Sequence, residues 1–403
     1  MQDFLDSRIN FNFVSPNICF MMLSDKHIIS NAIKHYTHLH QHPELSFEEF
    51  STSMYVKSVL EATKIPYQTV GETGIIGWIA GKNSLRTIAL RADIDALPIE
   101  ETRSNPIIST QRGVMHACGH DLHTASLLGA AEYLNHHRDA LQANIMLIFQ
   151  HAEEVLPGGA IEVINHPFFK AHRPEWIFAL HAEPELPVGD IGICPGQYMA
   201  SGDEIYIHLE GPGGHAALPD KTSDLILIAS HIVVALQQIV SRNASPFTPT
   251  VLTFGNIRCQ SAMNIIPQGI ILEGTLRTFD EKWRQNAKEH IQRISRSIAE
   301  SMGAKIDINI VEGYPGLFND PGKAEQTIRL LQTELGEEHV IMLSQRMTTE
   351  DFGRYSQIIP ATFIRLGVKG ESHHCGKLHT SGFFPDLSAL KYGVCIFCSI
   401  AKL

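Results

Sequence analysis

The chain has little positive charge and few cysteines for its length. Its 403 residues include 32 lysines and arginines against 43 aspartates and glutamates, which gives a net charge of −11 at pH 7. A surface that binds nucleic acid needs a basic excess, so we expect no nucleic-acid partner. The seven cysteines are an odd, scattered set. They do not resemble the disulfide framework of a small secreted protein, which favours a reducing, cytoplasmic location.

Long uninterrupted apolar runs are also missing. The apolar stretch over residues 11–23 is broken by polar residues and a proline and is too short to span a bilayer, so we expect no membrane partner. It also lacks the basic start and the small-residue cleavage site of a secretory signal. We therefore predict that residues 1–24 form an extension outside the folded domains.

Short apolar runs of strand length alternate with helical patterns in the first half of the chain. Such runs occupy residues 87–92, 143–150 and 176–180, and an amphipathic segment over 122–136 separates the first two. This alternation predicts an α/β domain with a mostly parallel sheet flanked by helices. A late apolar run at residues 361–366 adds another strand, so we expect the chain to return to this sheet.

A block with a different pattern lies between these runs. Residues 203–311 show the order strand, helix, strand, strand, helix, strand, which predicts a ferredoxin-like α+β unit. We therefore predict a catalytic domain formed by residues 25–197 and 312–403, and an inserted lid or dimerisation domain over residues 198–311. The length of the chain also favours two domains.

The turn over residues 115–121 carries Cys118 and His120, two metal donors only two residues apart. A thiolate and an imidazole suit zinc, cobalt, nickel or manganese better than calcium or magnesium. Two donors cannot complete a site. Further donors follow predicted strands or lie near the C-terminus: Asp93, Asp95, Glu153, Glu154, His181 and His379. Because ligands of open α/β sheets bind outside the carboxyl ends of the strands, we expect these donors to meet there.

Glu153 and Glu154 follow a fully apolar run. An isolated acidic pair is usually a solvated surface patch. In extended backbone, however, neighbouring side chains point in opposite directions, so one carboxylate can bind metal while the other faces the substrate. Metal-assisted hydrolysis needs this division, because a free carboxylate must accept a proton from water and return it to the leaving nitrogen.

The motifs of the chain together resemble those of a family of co-catalytic metallopeptidases and amidohydrolases. This family includes hippurate hydrolase, plant indoleacetyl-amino-acid hydrolases, bacterial aminoacylases and N-acetyldiaminopimelate deacetylase. The resemblance covers the chain after about residue 25. It rests on residues 42–46, 91–98, 115–121, 149–154, 211–217, 264–267, 274–277, 350–352 and 378–379.

The resemblance implies a zinc-exopeptidase-like fold and two divalent metal ions per subunit, either zinc, manganese, cobalt or nickel. Glu153 would be the general base and acid, Cys118 would bridge the two ions, and Asp95 would orient a ligand. Asp93 is not counted as a ligand. The implied metal ligands are Cys118, His120, Glu154, His181 and His379.

The resemblance also implies residues that act on the substrate. His215 would stabilise the oxyanion, often in the active site of the neighbouring subunit, while Asn264 and Arg277 would hold a substrate carboxylate. From the residues alone, His215 could equally be a turn histidine with a backbone partner, and Arg277 a surface strand residue. A homodimer formed through the inserted domain is the implied assembly.

The resulting functional hypothesis is hydrolysis of the amide bond of N-acyl amino acids, with Glu153 activating water at the metal centre. A dipeptidase or carboxypeptidase with the same chemistry is an alternative, because it differs only on the acyl side of the bond. A non-catalytic protein that binds metal or amino acids is a further alternative. Cysteine-nucleophile catalysis by Cys118 lacks an orienting partner in the sequence.

Overall fold

A computed structural model describes residues 26–82, 84–371 and 375–403, so the predicted extension over residues 1–24 lies outside the described residues. Within them, the strands in chain order are β1 (Tyr67–Val70), β2 (Gly74–Ile79), β3 (Thr87–Asp93), β4 (Asn144–Gln150), β5 (Trp176–Pro187), β6 (Ile191–Ile193), β7 (Gly196–Met199), β8 (Ser201–Glu210), β9 (Gly214–His215), β10 (Thr250–Arg258), β11 (Ile265–Ile266), β12 (Gly269–Thr278), β13 (Lys305–Glu312), β14 (Leu317–Asn319), β15 (Val340–Met342) and β16 (Ala361–Lys369). The α-helices are α1 (Lys26–Gln41), α2 (Phe50–Ala62), α3 (His120–His136), α4 (Ala160–Asn165), α5 (Pro167–Ala171), α6 (Leu225–Gln238), α7 (Glu281–Ser301), α8 (Pro321–Leu335), α9 (Gly353–Ser356) and α10 (Ala389–Ile400).

The larger sheet has eight strands in the order β1-β2-β4-β3-β5-β16-β6-β15. Its four central strands, β4, β3, β5 and β16, are mutually parallel, as predicted. The sheet as a whole is mixed, because β1, β2 and β4 pair antiparallel and β6 is antiparallel to β16. The reason is loop length: the short links between β1 and β2, and between β5 and β6, cannot make the long crossover that parallel neighbours require.

The central strands are apolar because both faces of the sheet are covered. Every residue of β3 is buried. On one face, a hydrophobic cluster joins the sheet to α1, α3 and α10, with Leu127 and Val394 among its members. On the other face, a second cluster includes Ile148 of β4 and Phe169 of α5. Strands buried on both faces read as continuous apolar runs, which is why the sequence reveals them.

The smaller sheet is antiparallel, with four strands in the order β10-β12-β8-β13. Its elements follow one another as β8, α6, β10, β12, α7 and β13, the element order that the sequence predicts for residues 203–311. The two helices share a hydrophobic cluster with one face of this sheet. Burial in β8 alternates along the strand, as expected when only one face is covered.

By length and composition, Leu225–Asn243 is the one helical segment in the described ranges that could cross a membrane, and a third of it is buried. It consists of α6 and a following π-helical turn, Ile239–Asn243. Its buried residues Ile228 and Ile232 pack in the core of the smaller unit. Val234 is exposed, so this helix also presents an apolar face outside the fold of a single chain.

The histidine His40 ties α1 to the start of α3. It lies fully buried, with Nδ1 2.6 Å from Asp121 Oδ2 and Nε2 3.0 Å from Glu101 Oε1. Burial alone would lower the pKa of His40, but its contacts with the two carboxylates raise that pKa to about 9. The imidazolium is therefore part of the packed interface beside the Cys118–His120 turn.

We predict that His40 makes stability depend on pH. Its folded pKa lies above the unfolded value, so its contribution is present below about pH 6.5 and is lost as the pH rises through about 9. Between about pH 6 and pH 10, the free energy of unfolding of the wild type should fall by about 3 kcal/mol more than that of His40→Gln. Chemical denaturation across this range measures the difference. The exposed His231→Gln variant should follow the wild type, and equal pH profiles for wild type and His40→Gln would contradict the prediction.

Candidate metal centre

The ends of the central strands and the start of α3 bring the predicted donors together. β3 ends at Asp93, and Asp95 follows two residues later. The two glutamates follow the end of β4 at Gln150. β5 is longer than predicted and continues through His181 to Pro187. Gly119 precedes α3 with a φ of 86°, a left-handed conformation that favours glycine, so that His120 begins the helix.

The five predicted metal ligands converge around one sulfur atom. Cys118 Sγ lies 3.4 Å from His181 Nε2 and 3.2 Å from His379 Nε2. Glu154 Oε1 lies 3.3 Å from His379 Nε2 and 3.9 Å from His120 Nε2. Cys118 belongs to two donor triads, one with His120 and His181 and the other with Glu154 and His379. A thiolate shared by two triads is positioned as the predicted bridge requires.

The donor set fits divalent metal ions. His120 Nε2 and Glu154 Oε1 are buried and have no hydrogen-bond partner within the described ranges, a costly state for polar atoms unless a ligand satisfies them. Burial, followed by the charge of Glu154, raises the pKa of the Cys118 thiol. A cation would reverse this effect, because coordination deprotonates a thiol. Sulfur, imidazole and carboxylate donors together match zinc and its neighbours.

Asp95 holds two of the predicted ligands in place. Its Oδ1 lies 3.1 Å from His120 Nδ1, and its Oδ2 accepts a hydrogen bond from the backbone N–H of Glu154 at 2.9 Å. Ser46 donates to the same Oδ2 at 2.7 Å. With Nδ1 donating to Asp95, the Nε2 lone pair of His120 is directed to the donor cluster. The orienting role of Asp95 stays a prediction that these contacts make testable.

Asp93 lies beside the donor cluster but is occupied by other partners. Its Oδ1 is 2.6 Å from His123 Nδ1, and its Oδ2 accepts from Arg91 at 2.6 Å. Burial alone would raise the pKa of Asp93, but Arg91, His120 and His123 hold that pKa well below its usual range. His123 in turn accepts the backbone N–H of Ala182 at 2.8 Å. Asp93 therefore anchors β5 next to the cluster through His123.

Glu153 is buried, and its carboxylate lies within 4.8 Å of donor atoms of His120 and Glu154. Its Oε1 accepts the backbone N–H of Asp351 at 3.4 Å, and Tyr314 donates to its carbonyl oxygen at 2.6 Å. Burial raises the pKa of Glu153 well above its usual range, and the nearby Glu350, Glu154 and Asp351 add to this rise. A carboxyl group in these surroundings retains a proton readily, which suits a group that carries one.

Sequence reasoning assigned no role to the acidic pair beneath Glu153. Glu350 and Asp351 are buried beside it, and both bind the fully buried Arg91, at 3.2 and 2.9 Å. Burial raises the pKa of Glu350 to about 7 and that of Asp351 to about 6, although Arg91 lowers both. The one available signal in the sequence was an arginine inside an apolar strand, because a buried guanidinium requires anionic partners.

The turn that presents Glu153 is held from a distant part of the chain. Ala152 has a φ of 48°, which costs on the order of 1 kcal/mol for a non-glycine residue and persists only when the surroundings enforce it. Buried Glu49, just before α2, accepts the backbone N–H of Ala152 at 2.7 Å and the hydroxyl of Thr73 at 2.7 Å. Glu49 thus fixes the backbone directly before the two glutamates.

A cleft of about 420 Å³ opens over the donors, lined by Glu153, His181 and Arg277 among others. Arg277 reaches it from β12 of the smaller sheet and donates to the carbonyl of Met347 at 3.1 Å. A second cavity of about 510 Å³ adjoins the first at Glu154, Arg277, Tyr314 and Thr349. The structure therefore places Arg277 beside the metal donors, although it comes from the other sheet.

His215 and Asn264 do not line this cleft. They lie together at the two-stranded ribbon of β9 and β11, where the backbone N–H of Ala216 donates to the Asn264 carbonyl at 2.9 Å. His215 is exposed and accepts the backbone N–H of Ala217 at 3.1 Å. Within one chain, the structure does not bring this pair to the metal donors, and their roles stay predictions.

Residues 89–403 match the model of a family described as Peptidase family M20/M25/M40. An N-acetyl-L-cysteine deacetylase from Bacillus subtilis is 40% identical over 342 residues, which cover 84% of this chain and 80% of the relative. An N-acetyldiaminopimelate deacetylase from Brevibacillus brevis is 36% identical over 360 residues, or 88% of this chain and 93% of the relative.

A solved structure with a similar fold is described as a dinuclear metal-binding peptidase of the M20 family from Bacillus subtilis. The two chains have a TM-score of 0.80 and are 33% identical, and the match covers 94% of this chain and 98% of the other. The similarity therefore extends over both sheets.

We predict that Asp95 controls metal affinity from outside the ligand set. An amide in Asp95→Asn cannot accept from His120, Ser46 and Glu154 as the carboxylate does, so affinity for Zn²⁺ should fall by about 10- to 100-fold. Competition with a chromogenic chelator measures this change. The exposed Asp307→Asn variant should bind Zn²⁺ like the wild type. Unchanged affinity in Asp95→Asn would show that Asp95 does not orient the ligands.

Proposed function

Because this chain belongs to Peptidase family M20/M25/M40 and is a metal-dependent hydrolase, we propose that it cleaves the amide bond of N-acyl amino acids. The family resemblance predicted from the motifs is thereby confirmed. One observation carries the proposal: the carboxyl group of Glu153, which is not among the five predicted ligands, lies within 4.8 Å of donor atoms of His120 and Glu154. The names of the relatives, deacetylases of N-acetylated amino acids, support this substrate class.

Two divalent ions would be held by Cys118, His120, Glu154, His181 and His379, with Cys118 shared between them. The ions would be zinc, manganese, cobalt or nickel, since each accepts this donor set. Bound ions supply Lewis-acid chemistry, because they polarise a carbonyl and make water a better nucleophile at neutral pH. The buried, unsatisfied atoms of His120 and Glu154 support their place in this set.

Glu153 would carry the proton during hydrolysis. It takes a proton from water as the water oxygen bonds to the acyl carbon, and it returns that proton to the amide nitrogen as the C–N bond breaks. The products are a carboxylic acid and a free amino acid. Its burial and the hydrogen bond from Asp351 to its carboxylate hold it in one position beside the donors.

Arg277 would bind the α-carboxylate of the substrate. Its planar guanidinium suits bidentate recognition of a carboxylate, and it lines the cleft next to Glu153. Asn264 would complete the carboxylate site and His215 would stabilise the oxyanion. Since both lie at the exposed ribbon of the same chain, we propose that they act on the cleft of a partner subunit.

The assembly proposed here is a cytoplasmic homodimer formed through residues 198–311, a ferredoxin-like inserted domain. Residues 25–197 and 312–403 would form the catalytic domain. The exposed apolar side chains of this region, including Ile226 and Val234 of α6 and Met263 near the ribbon, support a second copy as the partner.

We predict that Glu153→Gln abolishes turnover while the metal centre stays intact. Loss of general acid–base catalysis should lower kcat by about 100- to 10,000-fold, and chelation of the wild type should abolish turnover altogether. Elemental analysis should find the same metal content in Glu153→Gln as in the wild type. The exposed Glu185→Gln variant serves as the control. Full turnover in Glu153→Gln would remove Glu153 from its role.

A substrate panel tests the reaction itself. Acetyl-amino acids, hippurate, indoleacetyl conjugates and dipeptides would be assayed side by side with metal-loaded protein. We expect N-acyl amino acids to give the highest kcat/KM. Preference for dipeptides would favour the dipeptidase alternative, and metal binding without turnover of any member would favour a non-catalytic binding protein.

We predict that His215 acts across the dimer. His215→Ala and Glu153→Gln subunits, each inactive alone, should regain activity when mixed, because each heterodimer contains one cleft with both groups intact. About half of the activity per heterodimer is expected from this symmetry. Turnover of mixed samples, with subunit exchange followed by native mass spectrometry, measures the effect. Heterodimers without activity would show that His215 acts within its own chain, and activity of His215→Ala alone would show that it has no role.

A further inference from the structure

Three charged residues form a second polar group in the same cleft, opposite the acids. Glu183 lies two residues after His181 in β5, so that both side chains are on the same face of the strand. Arg365 in β16 is the direct cross-strand partner of His181. Arg346 comes from the segment after β15, whose backbone is bonded to Tyr198 and Ala200. We call Arg346 and Arg365 the arginine pair, and Glu183 is the carboxylate that they share.

This group has a formal net charge of +1, and Glu350 is a further acid whose charge acts on Arg365. Arg346 Nη2 lies 2.9 Å and Arg365 Nε 4.0 Å from the same Oε2 of Glu183. Across the described ranges, the ion pairs of both guanidiniums are to this one carboxylate. Arg365 is almost fully buried, and its other partners are the neutral Tyr198 hydroxyl at 3.0 Å and Met199 Sδ at 3.4 Å.

The hydrogen-bonding groups of Arg346 are available for a ligand. Arg346 meets Glu183 through Nη2, 2.9 Å from Oε2. Within the described ranges its guanidinium has no hydrogen bond to any other residue, so its remaining N–H groups are available to a ligand. The Arg346 side chain is 30% exposed and lines the cleft of about 420 Å³.

Arg346 and Arg277 face this cleft as two separate anion-binding groups. Arg277 donates to the carbonyl of Met347, the residue that follows Arg346. The two guanidiniums thus meet the same short backbone segment but come from different sheets. A substrate with one carboxylate would satisfy Arg277 and leave the positive charge at Arg346 unmatched.

We propose that Arg346, supported by Arg365, binds a second carboxylate of the substrate, remote from the scissile amide. The preferred substrates are then N-acyl amino acids with two acidic groups. The second carboxylate belongs to the amino-acid side chain or to the end of a dicarboxylic acyl group. This inference rests on the proposed function, because it names the substrate class of the same cleft.

The test compares substrates that differ only in the second charge. Metal-loaded wild type, Arg346→Gln and Arg346→Lys would be assayed with N-acetylglutamate against N-acetylglutamine, and with N-succinylalanine against its terminal amide. The wild type should prefer the acid of one pair by about tenfold or more, as charge-assisted hydrogen bonds imply. The pair that shows the preference identifies the position of the second carboxylate.

In Arg346→Gln, the acid-to-amide ratio of kcat/KM should fall to about one, and Arg346→Lys should retain part of it because the charge remains. The exposed Arg329→Gln variant should keep the wild-type ratio. Thermal unfolding of each variant separates a folding defect from a change in selectivity. A ratio near one in the wild type, or an unchanged ratio in Arg346→Gln, overturns the inference and leaves the proposed function in place.

Calorimetric binding of glutamate and glutamine provides a readout that does not need turnover. Tighter binding of glutamate to the wild type, lost in Arg346→Gln, supports the second carboxylate site even if no N-acyl amino acid is cleaved. That combination would reject the proposed reaction alone. Equal binding of the two amino acids to the wild type, together with equal kcat/KM within both substrate pairs, would reject the second carboxylate site.

Discussion

One buried guanidinium, that of Arg91, allows several carboxylates to be buried next to the metal donors. It lies inside β3 and binds Asp93, Glu350 and Asp351 at once. Burying several carboxylates without a cation would be prohibitively costly, and removing one partner of such a group leaves uncompensated charge in the interior. The strand that carries Arg91 also places Asp93 and Asp95 at its end. The charge balance of Glu350 and Asp351 and the position of Asp93 and Asp95 thus both depend on β3.

The cleft divides the proposed chemistry between the two sheets. The ends of the larger sheet's strands, the start of α3 and the turn at His379 supply the five metal donors and Glu153, while β12 of the smaller sheet supplies Arg277. The segment between β15 and α9 connects these parts, since it carries Arg346, the carbonyl that Arg277 binds, and the acids next to Glu153. In the proposed enzyme, substrate selection and proton transfer are therefore coupled through the six consecutive residues 346–351.

Much of the site could be predicted because strand ends and donor types are visible in the sequence. Asp95, Glu154 and His181 follow or extend apolar runs, and such runs mark strands buried on both faces. The β1–β2 hairpin was missed, and with it the mixed character of the sheet, because β1 has only four residues and β2, although almost wholly buried, contains two glycines, which are rare in strands. The acidic pair Glu350 and Asp351 belongs to a motif that carries the family resemblance, but its contacts with Arg91 and Glu153 could not be predicted. Like the arginine pair with its carboxylate, they depend on which segments become neighbours in the fold. His215 and Asn264 have no position in the cleft of their own chain, and a single sequence does not describe the second chain that their proposed role requires.

The hydrogen bond from the backbone of Ala152 to Glu49 limits which amino-acid substitutions this protein can accept. A residue about one hundred positions before the two glutamates sets the backbone from which they project. Glycine at position 152 would relax the strained dihedral, yet it would also allow the loop several alternative paths. Substitution at the start of α2 is therefore constrained, because Glu49 fixes the backbone directly before Glu153. Mutant libraries aimed at new substrates are better directed to the segment around Arg346, where side chains can vary without disturbing the hydrogen bond between Glu49 and Ala152.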